Sequence, residues 1–371
     1  MARGRPGRTV AVIGTGLMGG SLGLACLARG AAEEVIGYDS DPQRLDEAIG
    51  RGAITRAAPS LAEAGEGADL VIVATPVSSI PEVFDALVPE LPEGVIVTDV
   101  GSVKSSLVRE IERRSPDRIR FVGGHPLAGS EEEGIEAAAA DLFEGCVWFL
   151  TPTDRSEAEA CRELVRFASE LGARAVFIDP ERHDELVALT SHLPQVVSSA
   201  LMHFAAAAAT AEGGVPLIAS GGFRDMTRLA GSSPELWVQI LRENRDGVLK
   251  VLGGFAQSLE SITAAMRSGE WEAIRAVLAE ARGARSSMPG KPGLEVQTLV
   301  EIRVPVPDRP GVIAEVTTAL GEAAVNIEDF EIRHSPAGGR GEIRLWVQGA
   351  DAAELAEKAL RSAGFASRRA G

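Results

Sequence analysis

The stretch TVAVIGTGLMGGSLGLACLA, residues Thr9–Ala28, decides the fold of the first part of this 371-residue chain. An apolar run ends at Ile13, a glycine-rich turn follows, and a second apolar run starts at Ser21. GxGxxG spacing allows a tight bend, a close approach of backbone to a pyrophosphate, and a helix N-terminus aimed at that anion. The stretch therefore predicts a strand, a turn and a helix that bind a dinucleotide. The predicted cofactor-binding residues of the turn are Gly14, Thr15, Gly16, Leu17, Met18 and Gly19.

An acidic residue, Asp39, ends the next predicted strand, 20 residues after Gly19. A carboxylate at that position accepts a hydrogen bond from the ribose 2′-hydroxyl of NAD and repels the 2′-phosphate of NADP. The sequence therefore predicts NAD as the cofactor. Thr75 and Pro76, which follow a later apolar run, complete the predicted cofactor site. The alternative is a glycine-rich turn without a ligand.

The organisation of the chain changes three times along its length. In residues 1–178, short β-rich runs alternate with helical patterns, which predicts a Rossmann-type α/β domain whose strands, including RIRFVGGHP, CVWFLTP and ARAVFIDP, form a parallel sheet. Residues 179–285 show long helical patterns, which predict an all-helical domain. Residues 286–298 are rich in Gly, Ser and Pro and indicate a linker. Residues 299–371 predict a small α+β unit of βαββα order, with room for a last short strand that would close it.

Charge and composition exclude several classes of protein. A net charge of −16 argues against binding to nucleic acid, whose phosphates would be repelled. No apolar run approaches the roughly 18 residues of a membrane span. The 3 cysteines, Cys26, Cys146 and Cys161, are odd in number and lack zinc-ligand spacing, so neither a disulfide framework nor a metal is expected. A cytoplasmic protein is the expectation.

His125 lies in the stretch FVGGHPLAGSEEEG, Phe121–Gly134, directly after a predicted strand. Ligands of an open parallel sheet bind outside the carboxyl ends of its strands. An imidazole on that rim suits proton transfer at neutral pH, so His125 is a candidate base. The alternative is a hydrogen-bonded structural histidine. The residues expected to share this rim are Gly14, Asp39, Thr75, Pro76, Ser102 and His125.

The helical segment supplies further candidates. Arg224 and Arg228 are four residues apart, so they would share a helix face and could clamp a dicarboxylate. The alternative is a pair of solvated arginines that bind Asp225 or Glu235. His192 lies near a helix, and His183 adjoins Asp184. His203 is expected to pack in the core. Of the acidic run after His125, Glu131 is near enough in sequence to interact with that histidine.

The motifs GTGLMGG, DVGSVK, GGHPLAGSE, SHLPQ and GGFRDMTRLAGSSPELW occur in this order along the chain. Through them the sequence resembles the prephenate dehydrogenases of tyrosine biosynthesis over essentially its whole length. The resemblance implies NAD-dependent oxidative decarboxylation of prephenate to 4-hydroxyphenylpyruvate, in a cleft between a Rossmann-type domain and a helical dimerisation domain. It implies that His125 takes the ring hydroxyl proton, that Ser102 lies beside it, and that Arg228 anchors a carboxylate. Arg224, His192 and Gln195 would line the pocket, although some relatives carry histidine where this chain has Gln195. A homodimer is expected.

The segments DRPGVIAEV and VNIEDFEI resemble ACT domains, which are small ferredoxin-like α+β regulatory domains. Such domains bind amino acids, and the resemblance implies feedback regulation by tyrosine. The alternative is a purely structural or dimerising domain. The residues that the resemblance places at an effector are Asp308, Arg309, Gly311 and Asn326.

Three other functions remain open from the sequence. Arogenate dehydrogenases share nearly all these motifs, and an acidic residue such as Glu131 would favour the ammonium group of arogenate. The β-hydroxyacid dehydrogenases use a helix lysine, but Lys250 lacks their surrounding motif. An inactive NAD-bound sensor of amino acids is the non-enzymatic alternative.

Overall fold

The computed structural model describes residues 7–129, 132, 134–212, 220–286, 299–334 and 340–369. Glu131 and residues 287–298 of the predicted linker lie outside the described residues. The chain divides into two compact units, Met1–Ala264 and Ala265–Gly371. Within the described residues, no helix is long and apolar enough to cross a membrane.

The first unit begins with a parallel sheet in the order β3-β2-β1-β4-β5-β6. Its strands β1 and β4 are continuous apolar runs because helices cover both faces of a parallel sheet. The strands are β1 (Thr9–Ile13), β2 (Glu34–Tyr38), β3 (Arg56–Ala57), β4 (Leu70–Val73), β5 (Ile96–Asp99) and β6 (Arg120–Phe121). The helices are α1 (Leu17–Arg29), α2 (Pro42–Gly50), α3 (Leu61–Gly65), α4 (Ile80–Leu87), α5 (Ser105–Arg114) and α6 (Ala158–Glu170). The predicted Rossmann-type fold is confirmed.

The predicted strand RIRFVGGHP is broken after Phe121, and the predicted strands CVWFLTP and ARAVFIDP lie in a second sheet, which corrects the prediction that all of these strands form one parallel sheet. β6 stays in the parallel sheet, whereas β7 (Gly123–Pro126) pairs antiparallel with β8 (Val147–Thr151), and β8 pairs parallel with β9 (Arg174–Phe177). Two glycines allow this arrangement. A β-carbon on Gly123 would lie 2.5 Å from Thr151 Oγ1, and one on Gly124 would lie 2.6 Å from the Asp99 carbonyl oxygen. His125 therefore lies within a strand of a second sheet and not after the end of a parallel strand.

After the second sheet the unit continues as helices, which confirms the all-helical character predicted for this segment, and the last of these helices ends just beyond Ala264. A π-helical turn, Ala188–His192, separates the first two of them. The helices are α7 (Pro180–Val187), α8 (Leu193–Glu212), α9 (Gly221–Thr227), α10 (Pro234–Glu243) and α11 (Arg245–Ser268). His203 is exposed on α8, which overturns its predicted place in the core. The apolar pattern around it misled the prediction because this face of α8 stays uncovered in a single chain, and Phe204 beside it is 73% exposed.

The second unit contains α12 (Trp271–Ser286) and a sheet in the order β11-β12-β10-β13 with antiparallel neighbours. The sheet consists of β10 (Leu299–Pro307), β11 (Asp329–His334), β12 (Arg340–Gln348) and β13 (Arg368–Arg369), and its helices are α13 (Val312–Glu322) and α14 (Gly349–Ser362). Alternate residues such as Ile302, Val304, Ile343 and Leu345 are buried against the helices. This is the predicted ferredoxin-like unit, closed by the short last strand.

Candidate active site

The glycine turn between β1 and α1 has the space that a dinucleotide requires. Gly14 has φ of +95°, and a β-carbon on Gly19 would lie 1.8 Å from the Gly14 carbonyl oxygen. These two glycines are therefore fixed by backbone conformation and packing. A β-carbon on Gly16 would meet nothing within 4 Å, which leaves open space at the N-terminus of α1. Helix N-termini bind phosphate groups, so this open space fits a pyrophosphate. Leu17 and Met18, both half-buried, form the first turn of the helix.

The carboxylate of Asp39 is fixed beside this turn at the end of β2. Its Oδ2 accepts hydrogen bonds from Thr15 N at 2.8 Å and Thr15 Oγ1 at 3.2 Å, and its Oδ1 accepts one from Asp41 N at 3.0 Å. Thr75 lies after β4, and its buried Oγ1 has no hydrogen-bond partner among the described residues. Pro76 is exposed next to it. The predicted cofactor residues thus gather around one turn and provide both a carboxylate and a free hydroxyl.

We expect Gly16→Ala to leave the unliganded fold intact and to weaken NAD binding about tenfold or more, a cost of roughly 1.4 kcal/mol or more. The new methyl group meets no protein atom but occupies the space predicted for the pyrophosphate. Titration calorimetry with NAD and thermal unfolding without ligand measure the two effects. Gly19→Ala is the matched variant, and it should lower the melting temperature because overpacking costs about 1–3 kcal/mol. Unchanged NAD affinity in Gly16→Ala would remove the pyrophosphate from this turn.

The candidate base His125 is hydrogen-bonded to a second histidine and, through it, to a carboxylate. His125 Nδ1 lies 2.8 Å from His183 Nε2, and His183 Nδ1 lies 2.8 Å from Asp184 Oδ1. A carboxylate only accepts, so His183 donates from Nδ1. In the neutral pair its Nε2 then accepts from His125 Nδ1, and the lone pair of His125 remains on Nε2. This arrangement makes Nε2 of His125 a proton acceptor.

The environment keeps His125 uncharged. Burial lowers the pKa of His125 well below its usual 6.5, and the nearby His183, Lys104 and His192 lower it further. His183 itself is completely buried and packs edge-on against the ring of Phe149. At neutral pH His125 is therefore ready to accept a proton.

Asp184 also ties α7 to the Rossmann-type part of the unit. Its Oδ1 accepts a hydrogen bond from Lys104 N at 2.8 Å, and its Oδ2 accepts one from Ser105 N at 2.9 Å. These amides open α5, whose first residue is Ser105. A side chain of α7 thus caps α5, because the first amides of a helix have no partners inside it. The same carboxylate holds His183 and this helix end together.

A fully buried ion pair, Asp99 with Lys104, lies behind the site. Asp99 Oδ2 accepts from Gly101 N at 2.8 Å and Asp99 Oδ1 accepts from Gly124 N at 3.1 Å. Burial lowers the pKa of Lys104, while the adjacent Asp99 opposes that change. Asp99 therefore joins the loop that carries the half-buried Ser102 to the strand that carries His125.

On the helical side, Gln195 holds the turn that begins at Arg228. Gln195 Nε2 donates to Leu229 O at 2.8 Å, and Ser232 Oγ lies 3.5 Å from Gln195 Oε1. Arg228 is exposed and starts a 3₁₀ turn directly after α9. The side chain of Arg224, also exposed, forms no ion pair with any described residue, including Asp225 and Glu235. Gln195 thus supports the turn that begins at Arg228. The sequence alone had left the role of Gln195 open.

His192 is buried in the π-helical turn, a deviation often found at functional sites. Its ring packs edge-on against Trp237 with centroids 5.8 Å apart, and its Nδ1 lies 3.2 Å from Asn244 Nδ2. Burial lowers the pKa of His192 to about 4, against a raising effect of Asp184. His192 is thus a neutral imidazole.

Of four further residues in this network, His183 beside Asp184 was a candidate from the sequence without an assigned role, and Asp99 and Lys104 were not predicted. His183 and Asp184 form the polar pair in RHDE, and Asp99 and Lys104 are the charged residues of DVGSVK. Two signals in the sequence point to these residues. Asp99 and Lys104 are charged residues at or directly after the end of an apolar strand, and His183 adjoins an acidic residue on an amphipathic helix.

A nucleotide turn in the same unit as the neutral, half-buried imidazole of His125 is what a dinucleotide-dependent oxidoreductase needs, and this is the class to which the protein belongs. Models of the prephenate dehydrogenase nucleotide-binding domain and dimerization domain match residues 22–177 and 179–280, and an ACT domain model matches residues 300–365. The chain belongs to the prephenate dehydrogenase family.

The relatives agree with this family. The chain is 31% identical to the prephenate dehydrogenase of Bacillus subtilis (strain 168), over 95% of this chain and 96% of that protein. It is 33% identical to the cyclohexadienyl dehydrogenase of Zymomonas mobilis, over 75% of this chain and 95% of that protein. Prephenate dehydrogenase from Aquifex aeolicus, solved with hydroxyphenyl propionate and NAD+, is 32% identical with a TM-score of 0.72, over 76% of this chain and 98% of that one. Synechocystis arogenate dehydrogenase is 31% identical with a TM-score of 0.66, over 75% of this chain and 99% of that one.

Proposed function

We propose that the protein converts prephenate to 4-hydroxyphenylpyruvate and CO2 with reduction of NAD to NADH. The observation that carries the proposal is the chain from Asp184 through His183 to His125, with 2.8 Å at each step. It leaves an unprotonated Nε2 on a neutral histidine, in the unit that contains the nucleotide turn. The solved relative from Aquifex aeolicus, whose ligands are hydroxyphenyl propionate and NAD+, supports both the cofactor and an aromatic product class.

In the proposed mechanism, bound NAD supplies the hydride acceptor for the ring carbinol carbon. His125 Nε2 takes the hydroxyl proton as the carbonyl character of the ring grows. Arg228 holds a substrate carboxylate through charge-assisted hydrogen bonds, with Arg224 and His192 beside the same substrate. The C–C bond to the ring carboxylate breaks and its electron pair completes the aromatic ring. His125 then returns the proton to the phenolate oxygen, so no net proton is released.

The nucleotide site favours NAD for a physical reason. Asp39 is already held by Thr15 and Asp41 in a position at the end of β2, where a carboxylate binds a ribose 2′-hydroxyl. A 2′-phosphate there would meet a fixed negative charge. This supports NAD over NADP for this chain.

Purified full-length protein should form NADH, measured by its absorbance, from prephenate and NAD. Parallel reactions with arogenate and with NADP determine the substrate and cofactor selectivity. Turnover of arogenate alone would replace prephenate as the substrate, in line with the arogenate dehydrogenase among the similar structures. Silence with both substrates and both cofactors would favour the non-enzymatic sensor of amino acids.

We further propose the domain boundaries 1–178, 179–285, 286–298 and 299–371, and a cytoplasmic homodimer joined through the helical segment. The dimerization-domain model over residues 179–280 supports the dimer. Large apolar side chains exposed on this segment also support it, because such surfaces normally meet a partner. They include Phe204, Met226, Val238, Leu249 and Leu259.

We propose that the ACT domain binds tyrosine at the turn before α13 and near the start of β11. Gly311 has φ of +87° directly before α13, and Arg309 makes two 2.7 Å hydrogen bonds to Glu315. Asn326 Nδ2 donates to Glu328 Oε1 at 2.6 Å. Asp308 precedes this ion pair along the chain. The region therefore combines a turn whose backbone conformation requires glycine with polar groups that could exchange their partners for an amino acid.

Saturating tyrosine is expected to inhibit the enzyme and to stabilise the fold, because a ligand at 100 times its Kd contributes about 2.7 kcal/mol. Initial rates and thermal unfolding with and without tyrosine measure both effects. Asn326→Ala should abolish the response and leave the tyrosine-free rate unchanged. If neither the rate nor the melting temperature of the unaltered protein responds, the domain does not sense tyrosine.

A further inference from the structure

Asn244 is a buried side chain between α10 and α11 that makes two contacts through one atom. Its Nδ2 lies 2.8 Å from the carbonyl oxygen of Asp184 and 3.2 Å from His192 Nδ1. The carbonyl oxygen can only accept, which fixes the amide group with its NH2 on this side. The two hydrogens of that NH2 then serve two acceptors. His192 Nδ1 must be one of them, so it carries no proton.

From this geometry we propose that Asn244 is a positioning residue that holds His192 with its proton on Nε2, as a neutral hydrogen-bond donor to the substrate. The proposal rests on the function proposed above. Among the described residues, Nε2 of His192 has no hydrogen-bond partner, although the residue is only 1% exposed. The N–H at Nε2 of His192 is therefore available to donate a hydrogen bond to the substrate, and it adds no charge to the site.

Asp184 links this arrangement to the candidate base. Its side chain orders His183 and, through it, leaves His125 with a proton on Nδ1 and a lone pair on Nε2. Its main-chain oxygen orients Asn244, which gives His192 the reverse arrangement. One residue thus prepares two histidines for opposite tasks, proton acceptance at His125 and donation at His192.

The protonation of the two rings is directly measurable. In full-length protein labelled with 15N-histidine, the nitrogen shifts between about pH 6 and pH 8 should show a protonated Nε2 in His192 and a protonated Nδ1 in His125, since the shifts report which nitrogen carries hydrogen. His192→Gln and His125→Asn assign the signals. A proton on Nδ1 of His192 would overturn the proposal. This result does not depend on substrate, so it stays distinct from a failure of prephenate turnover.

Asn244→Asp is the kinetic test. A carboxylate at this position attracts the proton to His192 Nδ1 and raises the pKa of the ring. Asp184 and His183 are the other titratable groups that act on His192, and Trp237 is the aromatic neighbour. Nε2 would then carry a proton only below the new pKa. KM for prephenate should rise about tenfold between about pH 6 and pH 8.5, as expected for loss of a hydrogen bond to a charged group.

In the unaltered enzyme, His192 should cause no such rise in the KM for prephenate over the same pH range. A purely structural role for Asn244 predicts a lower melting temperature in Asn244→Asp with an unchanged pH profile of KM, and that outcome would contradict the proposal. If Asn244→Asp does not fold, Asn244→Ala replaces it in the 15N measurement. There the proton of His192 should be shared between both ring nitrogens, and a pure Nε2 proton would show that Asn244 does not control it.

Discussion

His125→Asn should lower kcat for prephenate by about 10²–10⁴-fold, the usual contribution of a positioned base. Asparagine can retain a hydrogen bond to His183 but cannot accept the substrate proton. Steady-state rates measure the loss, and calorimetry should show that NAD and prephenate still bind. His203→Asn, at an exposed histidine of α8, is the control and should retain full activity.

The pH dependence gives a second view of the same residue. Because the pKa of His125 lies well below 6.5, the imidazole stays unprotonated through the neutral range. We expect kcat/KM to be constant as the pH falls through 7 and to decline only as the pH drops below the ordinary histidine value of about 6.5. An acid limb centred at or above 6.5, or a rate in His125→Asn equal to that of the unaltered enzyme, would show that another group is the base.

Arg228→Gln should reduce kcat/KM for prephenate by about 10–100-fold. Hydrogen bonds to charged groups contribute about 1.5–3 kcal/mol, and a neutral amide replaces the guanidinium that is proposed to anchor a carboxylate. Most of the loss should appear in KM, because the carboxylate is bound in the ground state as well as in the transition state.

Arg242→Gln in α10 is the matched control, since it removes the same charge from another exposed arginine of the helical segment. Equal losses in both variants would indicate a general effect of positive charge on an anionic substrate. An unchanged KM in Arg228→Gln would remove this residue from the substrate site.

The local parts of the structure were predictable from the sequence. The glycine turn and Asp39 at the end of β2 depend on residues within one strand–helix–strand unit, whereas the closing strand of the ACT domain pairs with β10, which lies far from it in the chain. Backbone conformation enforces such motifs, as the positive φ of Gly14 illustrates. The spacing of the glycines and of Asp39 in the sequence is therefore enough to predict this part of the structure.

The contacts between distant residues were not predictable. His125 and His183 are 58 residues apart, and no periodicity indicates that two such rings meet. Lys104 would ordinarily be assigned to the surface, since lysine is rarely buried without a partner. The break after Phe121 depends on close packing of Gly124 against Asp99, which only the folded chain reveals. The prediction for His203 was wrong because an apolar helix face can pack against another chain as well as against the core of its own chain.

The cap that Asp184 places on α5 makes two backbone amides into reporters of the hydrogen-bonded chain that ends at the candidate base, His125. Lys104 N and Ser105 N are protected from solvent by the same carboxylate that orders His183. Hydrogen–deuterium exchange at these amides therefore requires the opening that also frees the imidazole chain. A motion that swings α7 away from α5 would break the hydrogen-bonded chain to the candidate base and expose both amides together. If the cleft opens to admit substrate without such exchange, its hinge lies beyond α7, and the candidate base moves with the nucleotide-binding part of the unit.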